Sequence, residues 1–200
     1  MRQENSPEEI TCENITDEIT ASYAEKGYTL TFAEEVMRFD LSQKIPQVIM
    51  PSDVSFFTWT SERSHDFFMA YDASFRDRPG FPGWSEEEWV RGTSEYSTFR
   101  PELSHLAVVQ GHATGFITNE EDDTAPEPTG YINQVGVDPR WRRQGIGAAL
   151  VVRSLQGWQE ERKVAVMLHV NVNNPGAIRL YQQLGFSIVG RRGKFRKQSA

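Results

Sequence analysis

Hydrophobic positions follow two different periods along the chain, which predicts a mixed α/β protein. Apolar residues at every second position predict strands, and apolar residues three or four apart predict helices. Val54–Trp59 has the alternating, aromatic composition of a strand, and Ser61 and Ser85 begin two helical patterns. The strands predicted after these are Leu106–Val109 and Thr114–Thr118, which form a hairpin, then Tyr131–Val137, Ala165–Val170 and Phe186–Gly190.

The composition limits the classes of protein to which the chain can belong. Its 200 residues are enough for one domain, or for one domain and a fragment, and no apolar stretch reaches the length of a membrane span. The net charge is −7, and residues 1–45 hold four basic against ten acidic residues, so nucleic acid is a poor ligand. A single cysteine, Cys12, and an N-terminus without a signal-like apolar run predict a cytoplasmic protein with no membrane partner.

The strongest chemical signal lies between the strand that ends at Val137 and the next helix. Two glycines, Gly145 and Gly147, open that helix, and Arg142 and Arg143 precede them. Glycine lets the backbone approach a ligand closely, and the N–H groups and dipole of a helix start attract an anion. The alternative is a helix start whose glycines serve close packing. We predict a site for a phosphate-bearing cofactor, formed by Arg142, Arg143, Gln144, Gly145, Ile146, Gly147 and Ala148.

A second motif follows the next apolar strand. Asn174–Phe186 has the pattern Asn-x-x-Ala-x-x-Leu-Tyr-x-x-x-Gly-Phe, in which Tyr181 is the tyrosine. Together with the glycines of Arg142–Gly147, this pattern resembles the GNAT superfamily of acetyl-coenzyme A-dependent N-acetyltransferases. The resemblance extends over Val54–Phe195 and is sharpest over Tyr131–Phe186.

The resemblance implies the fold and the co-substrate. The GNAT fold is an α/β fold with a mixed central sheet, splayed between its fourth and fifth strands, and with helices on both faces. The family uses acetyl-coenzyme A, no metal, and direct attack by an amine, so no cysteine or serine nucleophile is required. A backbone N–H near Val135 or Gly136 would be the oxyanion donor. Outside the glycine loop, the residues expected to contact the cofactor are Val135, Gly136, Val137 and Asn174.

Three residues are candidates for proton transfer. Tyr181 matches the family tyrosine that protonates the departing thiolate, although a core aromatic would have the same spacing. His169 lies where some relatives place a glutamate base, and imidazole has a suitable pKa, but a hydrogen-bonded structural histidine is the alternative. A water relay that ends on Tyr131, or an acid in Asn119–Gly130, stays open as the base. Asn119–Gly130 itself is acidic and without periodicity, which predicts a mobile loop.

Acceptor choice in this family comes from the first two helices and their connection. Phe75–Trp89 and Val135–Pro139 resemble the mycothiol synthase branch, whose members have tandem domains, but Tyr131 stands where a glutamate is expected. We predict a small-molecule amine as acceptor and a monomer or homodimer. A peptide or protein N-terminus, or a non-catalytic acetyl-coenzyme A-binding module, is the alternative. The aromatic residues expected to face the acceptor are Phe75, Phe81, Trp84 and Trp89.

The first 45 residues lie outside the family's order of elements, and we divide the chain into 1–45 and 46–200. Tyr23, Gly27 and Tyr28 repeat the spacing of the motif around Tyr181. This resembles a hairpin-like remnant of a preceding GNAT domain that lacks a glycine loop, and an ordinary extension is the alternative. The strands and turn predicted there are Tyr28–Phe32, Ala33–Glu35 and Val36–Leu41, followed by a linker at Ile45-Pro46 and Pro51-Ser52.

Overall fold

A computed structural model describes residues 8–49 and 53–198 and confirms the mixed α/β class. No helix in these two ranges combines the length and the apolar composition needed to cross a lipid bilayer. The helices and strands in chain order are β1 (Glu9–Cys12), α1 (Asp17–Glu25), β2 (Tyr28–Asp40), β3 (Val54–Thr58), α2 (Ser64–Phe75), α3 (Glu86–Ser94), β4 (His105–Val109), β5 (His112–Asp122), β6 (Thr129–Val137), α4 (Ile146–Glu160), β7 (Ala165–Asn171), α5 (Pro175–Gln183) and β8 (Ser187–Lys197).

The described residues form two compact units, each with antiparallel strand pairs of its own. The first unit contains those of 1–38 and 168–200, and in it β8 pairs with both β1 and β2. The second unit contains those of 39–167, with the strand order β6-β5-β4-β3. The divisions fall inside β2 and β7 rather than at residue 45, and the assignment of residues 1–45 as a separate domain stays a prediction.

Helices cover both faces of the strands in the second unit. A Cβ atom at Gly115 on β5 would lie 3.3 Å from Cγ2 of Ile146 on α4. The next residue, Phe116, belongs to a core to which α2 and α3 contribute. Because neighbours along a strand point to opposite faces, α4 covers one face and α2 with α3 covers the other. The buried residues of the α2 and α3 side are Trp59, Phe67, Ala70, Tyr71, Trp89, Phe99, Leu106 and Phe116.

A bulge interrupts the pairing of β5 with β6. Thr118 pairs with Gln134, but the next residue, Asn119, pairs with Ile132, so the register skips Asn133. An extra residue on one strand reverses the alternation of side chains beyond it. Even-numbered residues of β6 are therefore expected to face one side of the strands before Asn133 and the opposite side after it.

Two glycines on β6 confirm this reversal. A Cβ atom at Gly136 would lie 2.7 Å from Cβ of Ser74, which belongs to α2. A Cβ atom at Gly130 would instead overlap the indole of Trp158, which belongs to α4. Both positions are even-numbered, yet they face opposite sides, and neither has room for a larger residue.

The loop predicted at Asn119–Gly130 is wrong at both ends, because only residues 123–128 lie outside strands. Strand β5 continues to Asp122 and β6 begins at Thr129. Asn119 is fully buried, with its Nδ2 donating to the carbonyl oxygen of Leu103 at 2.8 Å and its Oδ1 accepting from Nε1 of Trp158 at 3.0 Å. Asn119 is typical of a loop in the sequence, but its buried amide group has hydrogen-bond partners inside the fold.

The two N-terminal strands predicted around a turn at Ala33–Glu35 are also wrong, because β2 is continuous. Glu34 and Glu35 lie opposite Arg192 and Arg191 of β8. The carboxylate of Glu34 accepts from Nε of Arg192 at 2.9 Å, and that of Glu35 accepts from Nη2 of Arg191 at 2.5 Å. Charged residues that indicate a turn in the sequence are here matched across the strand pair. The Pro51-Ser52 part of the predicted linker lies outside the described residues.

The repeated motif at Tyr23 has the same local structure as the one at Tyr181. Helices α1 and α5 are each followed by a glycine with a left-handed backbone, φ +81° at Gly27 and +97° at Gly185. The chain then enters β2 or β8 through an aromatic residue. The ring centroids are 5.8 Å apart both for Tyr23 with Tyr28 and for Tyr181 with Phe186. The two segments thus share a local geometry, and the remnant hypothesis stays a prediction.

Candidate active site

The glycine loop of the second unit ends in an exposed helix start. Gly145 is the N-cap residue of α4 with φ +85°, and Arg143 before it has φ +66°. No side chain caps this helix. The N–H groups of its first turn have no acceptor within the helix, and the helix dipole makes them a favourable place for an anion. The loop therefore fits a phosphate or diphosphate group.

The side chains around the loop differ in what they contact. Arg142 donates from Nε to the carbonyl oxygen of Val137 at 2.9 Å and from Nη2 to that of Ser74 at 3.0 Å, which ties the loop to β6 and α2. Arg140 pairs with the buried carboxylate of Asp138 at 2.7 Å, and its hydrogen bonds hold the pKa of that carboxyl below its usual range. A cavity of about 260 Å³ lies beside the loop and is lined by His112, Arg140, Trp141 and Gln144.

The strand before the loop approaches α2 closely. Val135, Gly136 and Val137 pair with Ile117, Phe116 and Gly115 of β5. Only glycine fits at Gly136, because a Cβ atom there would lie 2.8 Å from the hydroxyl oxygen of Ser74. Gly136 thus has no free space on its α2 side, in the backbone segment directly before the loop.

The second motif lies in the first unit. Asn174 caps α5, since its Oδ1 accepts from the N–H of Ala177 at 3.2 Å. Tyr181 is 7% exposed, and burial raises the pKa of its phenol. His169 is half-buried on β7. Asn174 begins α5 and Tyr181 is buried on the same helix, which accounts for the distance between these two residues in the motif. Their roles toward a cofactor stay predictions.

The four aromatic residues predicted to face the acceptor differ in exposure. Trp84 is 48% exposed, Phe75 and Phe81 are half-buried, and Trp89 is 1% exposed. Tyr71 joins them, because its ring stacks on that of Trp84 at 6.4 Å and on that of Trp89 at 4.8 Å. Trp89 is thus the buried base of this aromatic group, and Trp84 is its solvent-facing end.

A carboxylate that the motifs do not include lies on the same side of the strands. Glu120 of β5 pairs in register with Tyr131 of β6, and its Oε1 accepts a hydrogen bond from Nδ2 of Asn133. Gln134, the next residue, accepts from Nε1 of Trp89 at 3.1 Å. The sequence includes Glu120 only as one of several acids in Asn119–Gly130, because the strand pairing that distinguishes it is not visible in the local pattern. In the described ranges, no three His, Cys, Asp or Glu side chains form a group that could hold a metal ion.

The comparisons with known proteins agree with this arrangement. Residues 53–186 match the family model of the acetyltransferase (GNAT) family. The matched part includes the glycine loop and the motif around Tyr181. The chain belongs to the acetyltransferase (GNAT) family.

Individual relatives extend the comparison. The chain is 34% identical to a mycothiol acetyltransferase of Acidothermus cellulolyticus, over 75% of this chain and 50% of the relative. It is 32% identical to a mycothiol acetyltransferase of Thermobispora bispora, over 80% of this chain and 56% of the relative. The chain therefore spans about half the length of these curated relatives.

A solved structure gives the same picture of the fold. A GCN5-related N-acetyltransferase from Sphaerobacter thermophilus superimposes with a TM-score of 0.76 and 25% sequence identity. The match covers 94% of this chain and 60% of that chain. It therefore includes strands and helices that lie outside residues 53–186.

Proposed function

We propose that this chain transfers the acetyl group of acetyl-coenzyme A to the primary amine of a small molecule. The observation that carries the proposal is the uncapped start of α4, where Arg143 and Gly145 adopt left-handed conformations. The N–H groups of Ile146, Gly147 and Ala148 are then available to an anion. The similarity to mycothiol acetyltransferases supports a small-molecule acceptor.

The cofactor-binding role is assigned to both motifs. Acetyl-coenzyme A would supply a diphosphate for the glycine loop and a thioester for the reaction. The backbone of Val135–Val137 would bind the pantetheine and acetyl portions, and a fixed N–H there would stabilise the oxyanion without reorganisation. Asn174 would bond the pantetheine arm. The residues assigned to the diphosphate are Arg142, Arg143, Gln144, Gly145, Ile146, Gly147 and Ala148.

Tyr181 would deliver the proton that the departing sulfur needs. Burial raises the pKa of its phenol, so the hydroxyl keeps its proton at neutral pH. A free phenolate in this buried position would be costly. We therefore assign Tyr181 a relay role, in which it gives its proton to sulfur while it regains one from the acylated nitrogen.

The acceptor would lie against the aromatic group of Phe75, Phe81, Trp84 and Tyr71, with Trp89 behind it. Aromatic faces attract a cation such as an ammonium group, and they also pack against apolar or sugar rings. Trp84 is the solvent-facing member, with 48% of its surface exposed. We further propose that the enzyme works in the cytoplasm, which the single cysteine supports.

The experiment is a measurement of thiol release from acetyl-coenzyme A with a panel of amines. The panel contains glucosamine, cysteine methyl ester, spermidine and a peptide with a free N-terminus, and mass spectrometry identifies each product. We expect release with a small amine and an N-acetylated product. Transfer to the peptide alone would favour the protein N-terminal alternative. Tight binding of acetyl-coenzyme A with no release for any amine would favour a non-catalytic module.

A further inference from the structure

The α2 and α3 side of β5 and β6 presents a carboxylate. Asn119 faces Trp158 of α4, to which it is hydrogen-bonded, so the next residue, Glu120, faces the opposite side. That is the side of Trp89, which donates to Gln134 of β6. Glu120 therefore lies on the face that also presents the aromatic group proposed for the acceptor.

The neighbours of Glu120 are aromatic and neutral. Tyr131 lies opposite it on β6, and Phe99 forms a backbone bridge with it on the other side. Its carboxylate accepts from the amide of Asn133, which is exposed. Glu120 is half-buried, so part of the residue is exposed to solvent.

Glu121, the adjacent acid, has different surroundings. Its Oε1 accepts from Nζ of Lys163 at 2.5 Å and from Nη1 of Arg100 at 2.8 Å. Both cations also lie over the ring of Trp158, on the α4 side. Glu121 is thus a paired structural carboxylate, whereas the hydrogen bond described for Glu120 comes from a neutral amide.

We propose that Glu120 is the general base of the acetyl transfer, an inference that rests on the function proposed above. The ammonium of the acceptor would lie beside the carboxylate of Glu120. Glu120 takes one proton from it, and the free electron pair of nitrogen forms the N–C bond as the C–S bond breaks. The second proton lost by nitrogen reaches sulfur through Tyr181, and the proton on Glu120 passes to solvent. The products are the acetamide, the thiol and one released proton.

The electrostatics agree with this role. Burial raises the pKa of Glu120, and the hydrogen bond from Asn133 opposes that shift in part. The titratable group directly across from it is the phenol of Tyr131, while Arg100, Lys163 and Glu121 lie on the α4 side. A carboxylate whose pKa is raised toward neutrality is a stronger base than an ordinary glutamate.

The first test compares Glu120→Gln with Glu121→Gln. The glutamine at 120 keeps an oxygen that can accept from Asn133, so the local hydrogen bond survives. We expect kcat of Glu120→Gln to fall by about 100-fold or more, with unchanged affinity for acetyl-coenzyme A. Glu121→Gln should keep the wild-type kcat and lose thermal stability, because Lys163 and Arg100 lose a partner.

The second test measures the titration itself. Carbon-13 NMR of glutamate side-chain carboxyls, with the Glu120 signal assigned by its loss in Glu120→Gln, should give a pKa above the ordinary glutamate value of 4.5. The same value should appear as the acidic limb of the pH profile of kcat/KM in the wild type. Glu120→Gln should lack that limb.

The outcomes separate the two proposals. If the wild type is active and Glu120→Gln keeps at least half of kcat and the same acidic limb, the role of Glu120 is overturned. The proposed function then stands. A wild type that acetylates no amine overturns the proposed function. A Glu120 signal that titrates at or below 4.5 overturns the general base in either case.

Discussion

Nε1 of Trp89 donates a hydrogen bond to Oε1 of Gln134 at 3.1 Å. The bond satisfies the one polar atom of an indole that is 1% exposed, and it fixes α3 against β6. Gln134 can make this bond because it lies two residues before Gly136 on β6 and so faces the same side, that of α2 and α3. This hydrogen bond thus connects the aromatic group with the strand that leads to the glycine loop.

Trp84→Ala should weaken acceptor binding. Trp84 is 48% exposed and stacks on Tyr71, so its loss removes a face of the proposed acceptor site with little loss of core packing. We expect KM for the acceptor to rise by roughly 10-fold and the affinity for acetyl-coenzyme A to stay constant. Steady-state kinetics and calorimetry measure the two values. Tyr96→Ala, at a residue 62% exposed, is the control and should change neither. Equal acceptor KM values for Trp84→Ala and wild type would remove Trp84 from the site.

Gly147→Glu should abolish binding of acetyl-coenzyme A. A carboxylate in the first turn of α4 places a negative charge and added bulk where the diphosphate would bind. Calorimetry should detect no binding, whereas circular dichroism should match the wild type. The control is Gly92→Glu, the same substitution at an exposed helical position with open space around it. Unchanged affinity in Gly147→Glu would exclude the glycine loop as the binding site.

Tyr181→Phe should separate proton delivery from packing. The variant keeps the ring that packs against Phe186 and loses the hydroxyl. Turnover should fall by about 100-fold or more, while the melting temperature and the affinity for acetyl-coenzyme A stay near those of the wild type. Tyr96→Phe removes a hydroxyl from an exposed ring and serves as the control. Full turnover by Tyr181→Phe with the correct acceptor would contradict the assignment.

His105 should make the protein less stable in acid. Burial, with a further contribution from the Arg153 guanidinium, lowers the pKa of His105 to about 4, below the value of about 6.5 expected in the unfolded chain. The stabilisation is complete above pH 6.5 and decreases as the pH falls toward 4, because the unfolded chain then binds the extra proton. The free energy of unfolding should fall by up to about 2 kcal/mol between pH 7 and pH 5. Urea titrations should show a smaller decrease for His105→Gln, and the wild-type decrease for His112→Gln, whose histidine is exposed. An identical slope in His105→Gln would refute this origin.

Removal of residues 1–27 should destabilise the first unit without affecting the glycine loop. The deletion removes β1, which pairs with β8, and Tyr23, whose ring stacks on that of Phe195 at 4.5 Å. We expect a lower melting temperature and a nearly unchanged affinity for acetyl-coenzyme A, since the glycine loop lies in the other unit and the deletion leaves Asn174 in place. Removal of residues 1–45 also deletes β2, in which Met37 and Phe39 are fully buried, and should give aggregated protein in size-exclusion chromatography. Equal melting temperatures for the 1–27 deletion and the full chain would show that the segment is an unattached tail.

The parts of the site that depend on local backbone geometry could be predicted from the sequence. Gly145 follows a strand and opens a helix, and these are short-range features that a single stretch of chain specifies. The motif around Tyr181 is equally local, because Asn174 caps the helix that the tyrosine belongs to and Gly185 ends it with a left-handed residue. The hydrophobic pattern likewise predicts β3, the β4 and β5 hairpin, and the helices α2 and α3.

The features that depend on pairing between distant residues required the tertiary structure. Glu34 and Glu35 indicate a turn in isolation, but two arginines about 160 positions later in the chain make them part of a strand. Glu120 is one acid among several in the sequence, and only the register of β5 with β6 separates it from the ion-paired Glu121. A side chain's local sequence specifies its own conformational preferences, whereas its partner, its solvation and hence its acidity depend on residues that only the fold brings beside it.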